Sequence, residues 1–481
     1  MKITNIEIKN FRAFPKAYRI DFHNAGKNLL VYGENGSGKS SLYLALKSFF
    51  ESGIDTVDGE VKSTGFEKHQ NLFIQEPGYI KLHFSSAQPP KQEVYEWSKD
   101  VIETNNNLVI ETSEASGFLD YKDLLGVHYL QPEGESVNIF DLLVKTLLAN
   151  TLNPETGRTL ADYWDDIQGT YPRRDAKNKI SALEQRVEVF NHELFNRLVE
   201  LRPKVRDILG EFGYKVELDL DFEGVVYNQT DKTLENQQIL LNVKFFDENI
   251  SDRYLLLNEA KLSAIAIAIY LSSILCLPDP KIGLKILALD DVLIGLDMSN
   301  RFPVLDILEK DFKDCQIFLM TYDKTWYEIV KQRTDEKNWK YTEFYFKATD
   351  EHEIPVCKED APYLEKAREH LNHNDYKACA VYVRTAFEAA IKQYCEKKDL
   401  AIKYRENPRD LKSEDFWVPI KAETDDAGLL LLDLRIVDQI EQARKFILNE
   451  LSHATFTNIY RKELEDAIDA VERLKNALAE V

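Results

Sequence analysis

The sequence predicts two folds in series: an α/β domain carrying a short helical arm, then an all-α helical bundle. Three observations carry that prediction. An apolar run, Leu29 to Tyr32, enters a glycine-rich loop and leaves it through a helix-forming segment with Leu42, Leu44, Ala45 and Leu46. A second apolar run, Ile286 to Leu289, ends in two adjacent acids. That is the pattern of a strand buried on both faces that presents a carboxylate at its C-terminal end. From Ala361 onwards, outside 399–432, apolar residues recur at helical spacing.

Bulk composition narrows the function classes. A hydrophobic share of 44% with 30% charged residues describes an ordinary globular chain, and 481 residues leave room for about two to four domains. A net charge of −21 repels nucleic acid at long range, so any DNA or RNA contact needs a local basic patch or an oligomeric surface. The five cysteines have no C-x-x-C spacing and read as reduced thiols of a cytoplasmic protein. No apolar run approaches the roughly 18 residues that would span a bilayer, so no membrane partner is expected. The N-terminus lacks the apolar core of a signal peptide.

In chain order, Ile3, Ile6 and Ile8 mark one strand, and Tyr18, Ile20 and Phe22 a second after a turn at Pro15. The next strand runs into Gly33, Glu34, Asn35, Gly36, Ser37, Gly38, Lys39 and Ser40, which match G-x-x-x-x-G-K-[ST]. Its glycines let backbone N–H groups close around phosphate oxygens at a helix N-terminus. Lys39 would reach the β- and γ-phosphates of ATP, and the Ser40 hydroxyl would ligate Mg²⁺. Residues 56–112 alternate again, most clearly at Tyr79, Ile80, Leu82 and Phe84, and Phe118 to Gln131 reads as helical. An amphipathic helix is expected over 137–150. A longer one, of about 33 residues and roughly 50 Å, carries Ile180, Leu183, Val187, Phe190, Leu194, Leu198, Leu201 and Val205 as a stubby arm. Residues 214–247 read as a hairpin turning near Asp231. L-N-E-A-K-L, Leu257 to Leu262, opens an apolar helix, and Gln316 to Thr321 is a further strand, followed by Tyr322.

The string I-x-I-x-N-F-R-A-F, Ile6 to Phe14, ahead of a phosphate loop resembles the start of the RecF- and SMC-type ABC ATPases. That resemblance implies an ABC-ATPase head and supplies roles. Arg12 would lie near the phosphates, although an ordinary surface arginine reads equally well. Gln131 would be the glutamine that touches Mg²⁺ and the attacking water, or else an exposed loop residue. Asn258 and Ala260 occupy the serine and glycine positions of a degenerate L-S-x-G-E/Q signature, which binds the γ-phosphate of the opposite subunit. Asp290 would hold Mg²⁺, Asp291 stands where the family has a water-positioning glutamate, and Asp297 matches the loop that crosses the dimer interface. Tyr322 replaces the usual histidine. The expected assembly is a homodimer or higher homo-oligomer with nucleotides sandwiched between heads. Aspartate for glutamate and tyrosine for histidine imply slow, switch-like hydrolysis. The expected boundaries are 1–136 and 213–350 for the two lobes of the head, 137–212 for the helical insertion and 356–481 for the bundle.

Two polar pairs interrupt the apolar faces of the bundle: Arg384 with Glu388, and Asn449 with His453, each four apart and so on one helix face. Here the chain resembles the HEPN-type domains of ATPase-coupled anticodon nucleases of the PrrC/RloC family. The resemblance implies a metal-independent triad of Arg384, Glu388 and His453. His453 or Glu388 would take the proton of an RNA 2′-hydroxyl, and Arg384 would stabilise the charged phosphate. An R-x-x-x-E pair is also a common salt bridge, and many such bundles are silent. Lys397, Lys398, Lys403, Arg405, Arg409 and Lys412 lie close together, as a solvated loop or as a seat for an RNA backbone. Two functions therefore stay open. One is an ATP-gated ribonuclease, cutting tRNA in bacterial defence against phage, with a phage-encoded trigger. The other is a regulatory ATPase that senses DNA or a phage product, its bundle serving to dimerise or to dock a partner effector.

Overall fold

The computed structural model describes residues 1–22, 26–52, 56–57, 60–61, 65–87, 90–123, 137–170, 177–214, 216–246, 248–249, 259–348, 353–359, 363–405, 411–424, 428–445 and 460–480. The chain divides into two units, Met1–Glu359 and Asp360–Val481.

The first unit begins with an antiparallel sheet of β1 (Lys2–Lys9), β2 (Tyr18–Asp21), β4 (Tyr79–Ala87) and β5 (Pro90–Ser98), in the order β2-β1-β4-β5. Ile6 pairs with Ile20 on one side and Leu82 on the other, so the expected alternation makes one buried face. The second sheet holds β3 (Asn28–Gly33), β6 (Gly117–Asp120), β9 (Lys285–Asp290), β10 (Cys315–Thr321), β11 (Trp339–Ala348) and β12 (Glu353–Glu359). Its order is β12-β11-β3-β10-β9-β6, parallel except for β12.

Both faces of this second sheet are covered, which is why its central strands are apolar throughout. On one face Leu29, Val31, Ile286, Ala288, Phe318 and Met320 join the core that contains the buried side of α1 (Lys39–Glu51). On the other, Leu30, Tyr32, Leu287, Leu289, Ile317 and Leu319 share a core with α5 (Glu259–Ile274), which is buried along its whole length from Ser263. The expected hairpin is β7 (Val216–Asp221) paired with β8 (Leu240–Phe245), and it encloses a smaller ribbon at Val226–Asn228 and Thr233–Glu235.

Five expectations for the first unit need correction. Asn107–Glu114 is a helix, α2, because Asn106 caps it by accepting the Val109 N–H at 3.0 Å. Phe118–Asp120, the start of the segment expected to be helical over 118–131, belongs to the strand β6 (Gly117–Asp120), in register beside β9 from Gly117↔Leu287 to Asp120↔Asp290, and 124–131 lie outside the described residues. The helix expected over 137–150 is confined to Phe140–Leu147, with π-helical geometry from Leu143. The insertion continues with α3 (Leu160–Thr170) and α4 (Lys177–Glu211). The 35-residue α4 is no projecting arm: Leu183, Val187, Phe190, Leu194, Leu198, Leu201 and Val205 are buried in the same core as α5. The first unit extends to Glu359, past the expected end of the head at 350 and the expected start of the bundle at 356, because β12 pairs with β11.

The head is completed by α6 (Met298–Asp311) and α7 (Lys324–Arg333). The second unit contains α8 (Tyr363–Asn372), α9 (Tyr376–Lys397), α10 (Ser413–Ala422), α11 (Leu434–Ala443) and α12 (Arg461–Glu480). Leu364, Val383, Phe387, Ile391, Trp417, Ile440, Leu464, Ile468 and Val471 form its core, as the helical periodicity predicts. The exception is α10, which lies within 399–432, where no helix was expected. The fully buried Trp417 anchors it. Among the described residues no helix is long and apolar enough to cross a membrane.

Candidate nucleotide-binding site

The C-terminal ends of β3, β9 and β10 converge where α1 begins. Gly38 precedes α1 with φ 102°, and Gly36 has φ 85°, left-handed conformations in which a side chain would be strained. At Gly33 a Cβ would overlap the Ser37 hydroxyl, so the loop can close only around glycine. The backbone N–H groups at the start of α1 lie at the positive end of a helix of 13 residues, which suits an anion. Lys39, only 4% exposed, donates from Nζ to the carbonyls of Gly33 at 2.6 Å and Glu34 at 3.3 Å. The same Nζ lies 3.5 Å from Asp291 Oδ2.

Asp290 is buried at the end of β9 and hydrogen-bonded to the Ser40 side chain, while its Oδ1 has no partner among the described residues. Burial pushes its carboxyl up to about 6, with the negative charges of Asp291 and Asp120 adding to the shift and Ser40 and Lys39 opposing it. An unpartnered carboxylate oxygen beside a hydroxyl is the hard-oxygen donor set that Mg²⁺ takes, so these residues fit the ion. Asp291 has φ 54°, a conformation that aspartate tolerates better than most residues. Its amide donates to the Met320 carbonyl at 3.1 Å, and its Oδ1 accepts the Tyr322 N–H at 2.8 Å. Burial raises the Asp291 carboxyl and the Lys39 ammonium draws it back down.

The other candidates fall in different places. Arg12 is exposed with φ 48°, in a turn whose next residue, Ala13, donates its amide to Ser41 Oγ at 3.4 Å. The turn therefore lies beside the first turn of α1. Tyr322 meets Asp291 through its amide, and its side chain is largely exposed. Asp297 caps α6, accepting the Asn300 N–H at 3.1 Å. Ala260 lies in the first turn of α5, whereas Gln131 and Asn258 lie outside the described residues.

Sequence reasoning missed Asp120. It ends β6 directly beside Asp290 and accepts the amides of Lys122 at 2.8 Å and Asp123 at 3.0 Å. The signal that finds Asp290, a short apolar run ending in acid, is present in G-F-L-D as well. In the second unit Arg384 Nε donates to Glu388 Oε1 at 2.9 Å on a partly exposed face of α9, and His453 and Asn449 lie outside the described residues. Within the basic segment Arg405 is engaged by Asp415 at 2.7 and 2.9 Å, and that pairing draws the Asp415 carboxyl down to about 2.

No curated protein sequence matches the chain. Among solved structures, an Smc head bound to the C-winged helix domain of ScpA is 12% identical, with a TM-score of 0.40, covering 76% of this chain and 100% of that one. The SMC head domain from Thermotoga maritima is 13% identical, with a TM-score of 0.36, covering 75% and 100%. The Smc head of Pyrococcus furiosus, with an extended coiled coil and bound to the C-terminal domain of ScpA, is 12% identical with a TM-score of 0.41, covering 78% and 99%. These likenesses are distant, and the assignment rests on the family model described as the RecF/RecN/SMC N terminal domain, which matches residues 2–338. With that match spanning the phosphate loop, the paired acids and the four strands β3, β6, β9 and β10, the chain belongs to the RecF/RecN/SMC family and its first unit is an ATPase head of that type.

Proposed function

We propose that the chain is a slow, Mg²⁺-dependent ATPase switch in which two copies close over two nucleotides and reopen after hydrolysis. The observation that supports it best is the meeting of Lys39, Ser40, Asp290 and Asp291 at one strand–helix junction. In this reading the loop from Gly33 to Ser40 wraps the phosphates, Lys39 exchanges its loop carbonyls for phosphate oxygens, and Ser40 and Asp290 hold Mg²⁺. Held by those two residues, Mg²⁺ would supply neutralisation of the phosphate charge. Asp291 orients water. Its side chain is one methylene shorter than glutamate and already holds the Tyr322 amide, which supports slow turnover. Asn258 and Asp297 would reach the partner copy's nucleotide, and Arg12 and Gln131 would complete the site. The test is sizing with ATP. Asp291→Asn, which keeps a residue tolerant of φ 54°, should accumulate dimers that wild type dissolves by hydrolysis. Monomers alone in both proteins would sink the split-site reading.

For the second unit, the accessible Arg384–Glu388 pair favours an output by RNA cleavage, gated by the head, with tRNA as substrate and a phage product as trigger. A silent bundle that docks a partner effector is the competing reading. Total RNA incubated with the full chain, with and without ATP, separates them. Cleavage that needs Lys39 and Arg384 supports the nuclease, and intact RNA under all conditions leaves the docking bundle.

A further inference from the structure

Arg301 is a buried charge that the nucleotide site does not use. It lies in the first turn of α6, 8% exposed, with its guanidinium held at both ends. Nε donates to the Leu296 carbonyl at 2.9 Å, and Nη1 donates to Asp323 Oδ2 at 2.6 Å. Leu296 immediately precedes Asp297, the cap of α6. Asp323 immediately follows Tyr322, whose amide is held by Asp291, and its other oxygen caps α7 by accepting the Trp326 N–H at 3.1 Å. One planar side chain therefore joins the loop after β9 to the loop after β10.

The first of those loops is pinned from the far side as well. Gly295 approaches α5 so closely that a Cβ would overlap Ser263 Oγ, one turn into the helix that the signature segment opens. A continuous set of contacts then runs from the N-terminal turn of α5, through Gly295 and Leu296, to Arg301, Asp323, the Tyr322 amide and Asp291. Asp291 in turn faces Lys39. A buried ion pair is a poor way to add stability, because desolvation of both partners consumes most of the attraction. Its distinctive property here is geometric: two donors of one planar group, one to each loop, fix the separation of the loops, which an apolar side chain would leave free to slide.

We propose that Arg301 is a positioning residue for ATP hydrolysis: it ties the Gly295–Asp297 loop to the Asp291–Tyr322 contact, so that a second copy docking on that loop sets the geometry of Asp291. This rests on the reading that two heads close over nucleotide. A head alone then holds ATP with Asp291 out of line, and closure aligns it through Arg301. Binding of ATP itself, which uses the phosphate loop, does not pass through Arg301.

The test uses the full chain with Arg301→Gln, Asp323→Asn and the double variant. Asp323→Asn keeps an oxygen to cap α7 but leaves the buried Arg301 charge without its counter-ion, so a urea titration accompanies every assay and rates are compared only for variants that stay folded. Each single variant should lose about tenfold in kcat, the size of one charge-assisted hydrogen bond, with KM for ATP within about twofold of wild type. The double variant should be no slower than the worse single, since both cut the same connection. Hydrogen exchange at the Tyr322 amide should speed up in all three. Wild-type turnover in both singles, losses that add in the double, or a defect carried by KM would each overturn the coupling. A wild-type chain that dimerises and hydrolyses while Arg301→Gln turns over equally fast overturns the coupling alone. A wild type that does neither overturns the head-closure reading and this inference together.

Discussion

Replacing Asp290 by asparagine should stabilise the metal-free head while ending its response to nucleotide. The carboxyl is buried, one oxygen has no partner, and its pKa is raised from 3.8 to about 6. About two units at 1.36 kcal/mol each put the cost of ionising Asp290 in the fold at roughly 3 kcal/mol at neutral pH. The folded chain holds that proton more tightly than the unfolded chain does. The stability it contributes is complete below about pH 4, is lost as pH rises through about 6, and stays lost above. Asparagine keeps an oxygen for Ser40 and carries no charge, so it escapes the loss. In EDTA the variant should exceed wild type by about 3 kcal/mol at pH 8, and the gap should narrow by nearly half at pH 5. Urea titrations of the head at the two pH values measure this. Adding Mg²⁺ and ATP should then raise wild type and leave the variant unchanged, because a ligand stabilises only the state that binds it. A variant no more stable than wild type without metal, or a gap independent of pH, would refute the argument.

Lys39→Ala should remove ATP binding, measured by equilibrium titration, without lowering the head's melting temperature by more than a few degrees. Unchanged affinity would remove the phosphate-loop assignment. Gly295→Ala should slow ATP turnover by pushing its loop off Ser263, and adding Ser263→Ala should recover part of the rate, because the overlapping hydroxyl is gone. Failure of the second change to help would place the defect elsewhere. Arg384→Ala removes a partly exposed i,i+4 pair worth about 0.3–0.5 kcal/mol, so its melting curve should nearly superimpose on wild type. Any loss of RNA cleavage in that variant then reports chemistry, and full cleavage activity would remove Arg384 from a catalytic role.

Much of the nucleotide site is legible in the sequence because its parts are local. The phosphate loop is eight consecutive residues, and Asp290 ends an apolar run that only a doubly covered strand requires. What is harder to read depends on pairing between distant segments. G-F-L-D is too short for its own periodicity to decide, and it becomes a strand because β9 offers a parallel edge in register. The acid that ends it, Asp120, gains its meaning only once that strand is placed beside β9. Arg301 reads as a polar residue early in a helix, and only the approach of Asp323 from the next strand's loop makes it a clamp. Conversely, the stripe from Leu183 to Val205 correctly marks a long helix. Periodicity records that one face is buried and says nothing of what buries it, so a helix lying along the core reads like a free-standing arm.

That placement of α4 has a mechanical consequence. A helix that stands off a head converts a small rotation into a large sweep at its tip, in proportion to its free length. A helix lying in the core with its apolar face against α5 has almost no free length, so the proposed closing and opening of the head would displace surfaces by ångströms. Under the proposed cycle, work from ATP in this unit would be delivered as a short-stroke change in shape or exposure. In that reading, whatever responds to it must touch the head directly.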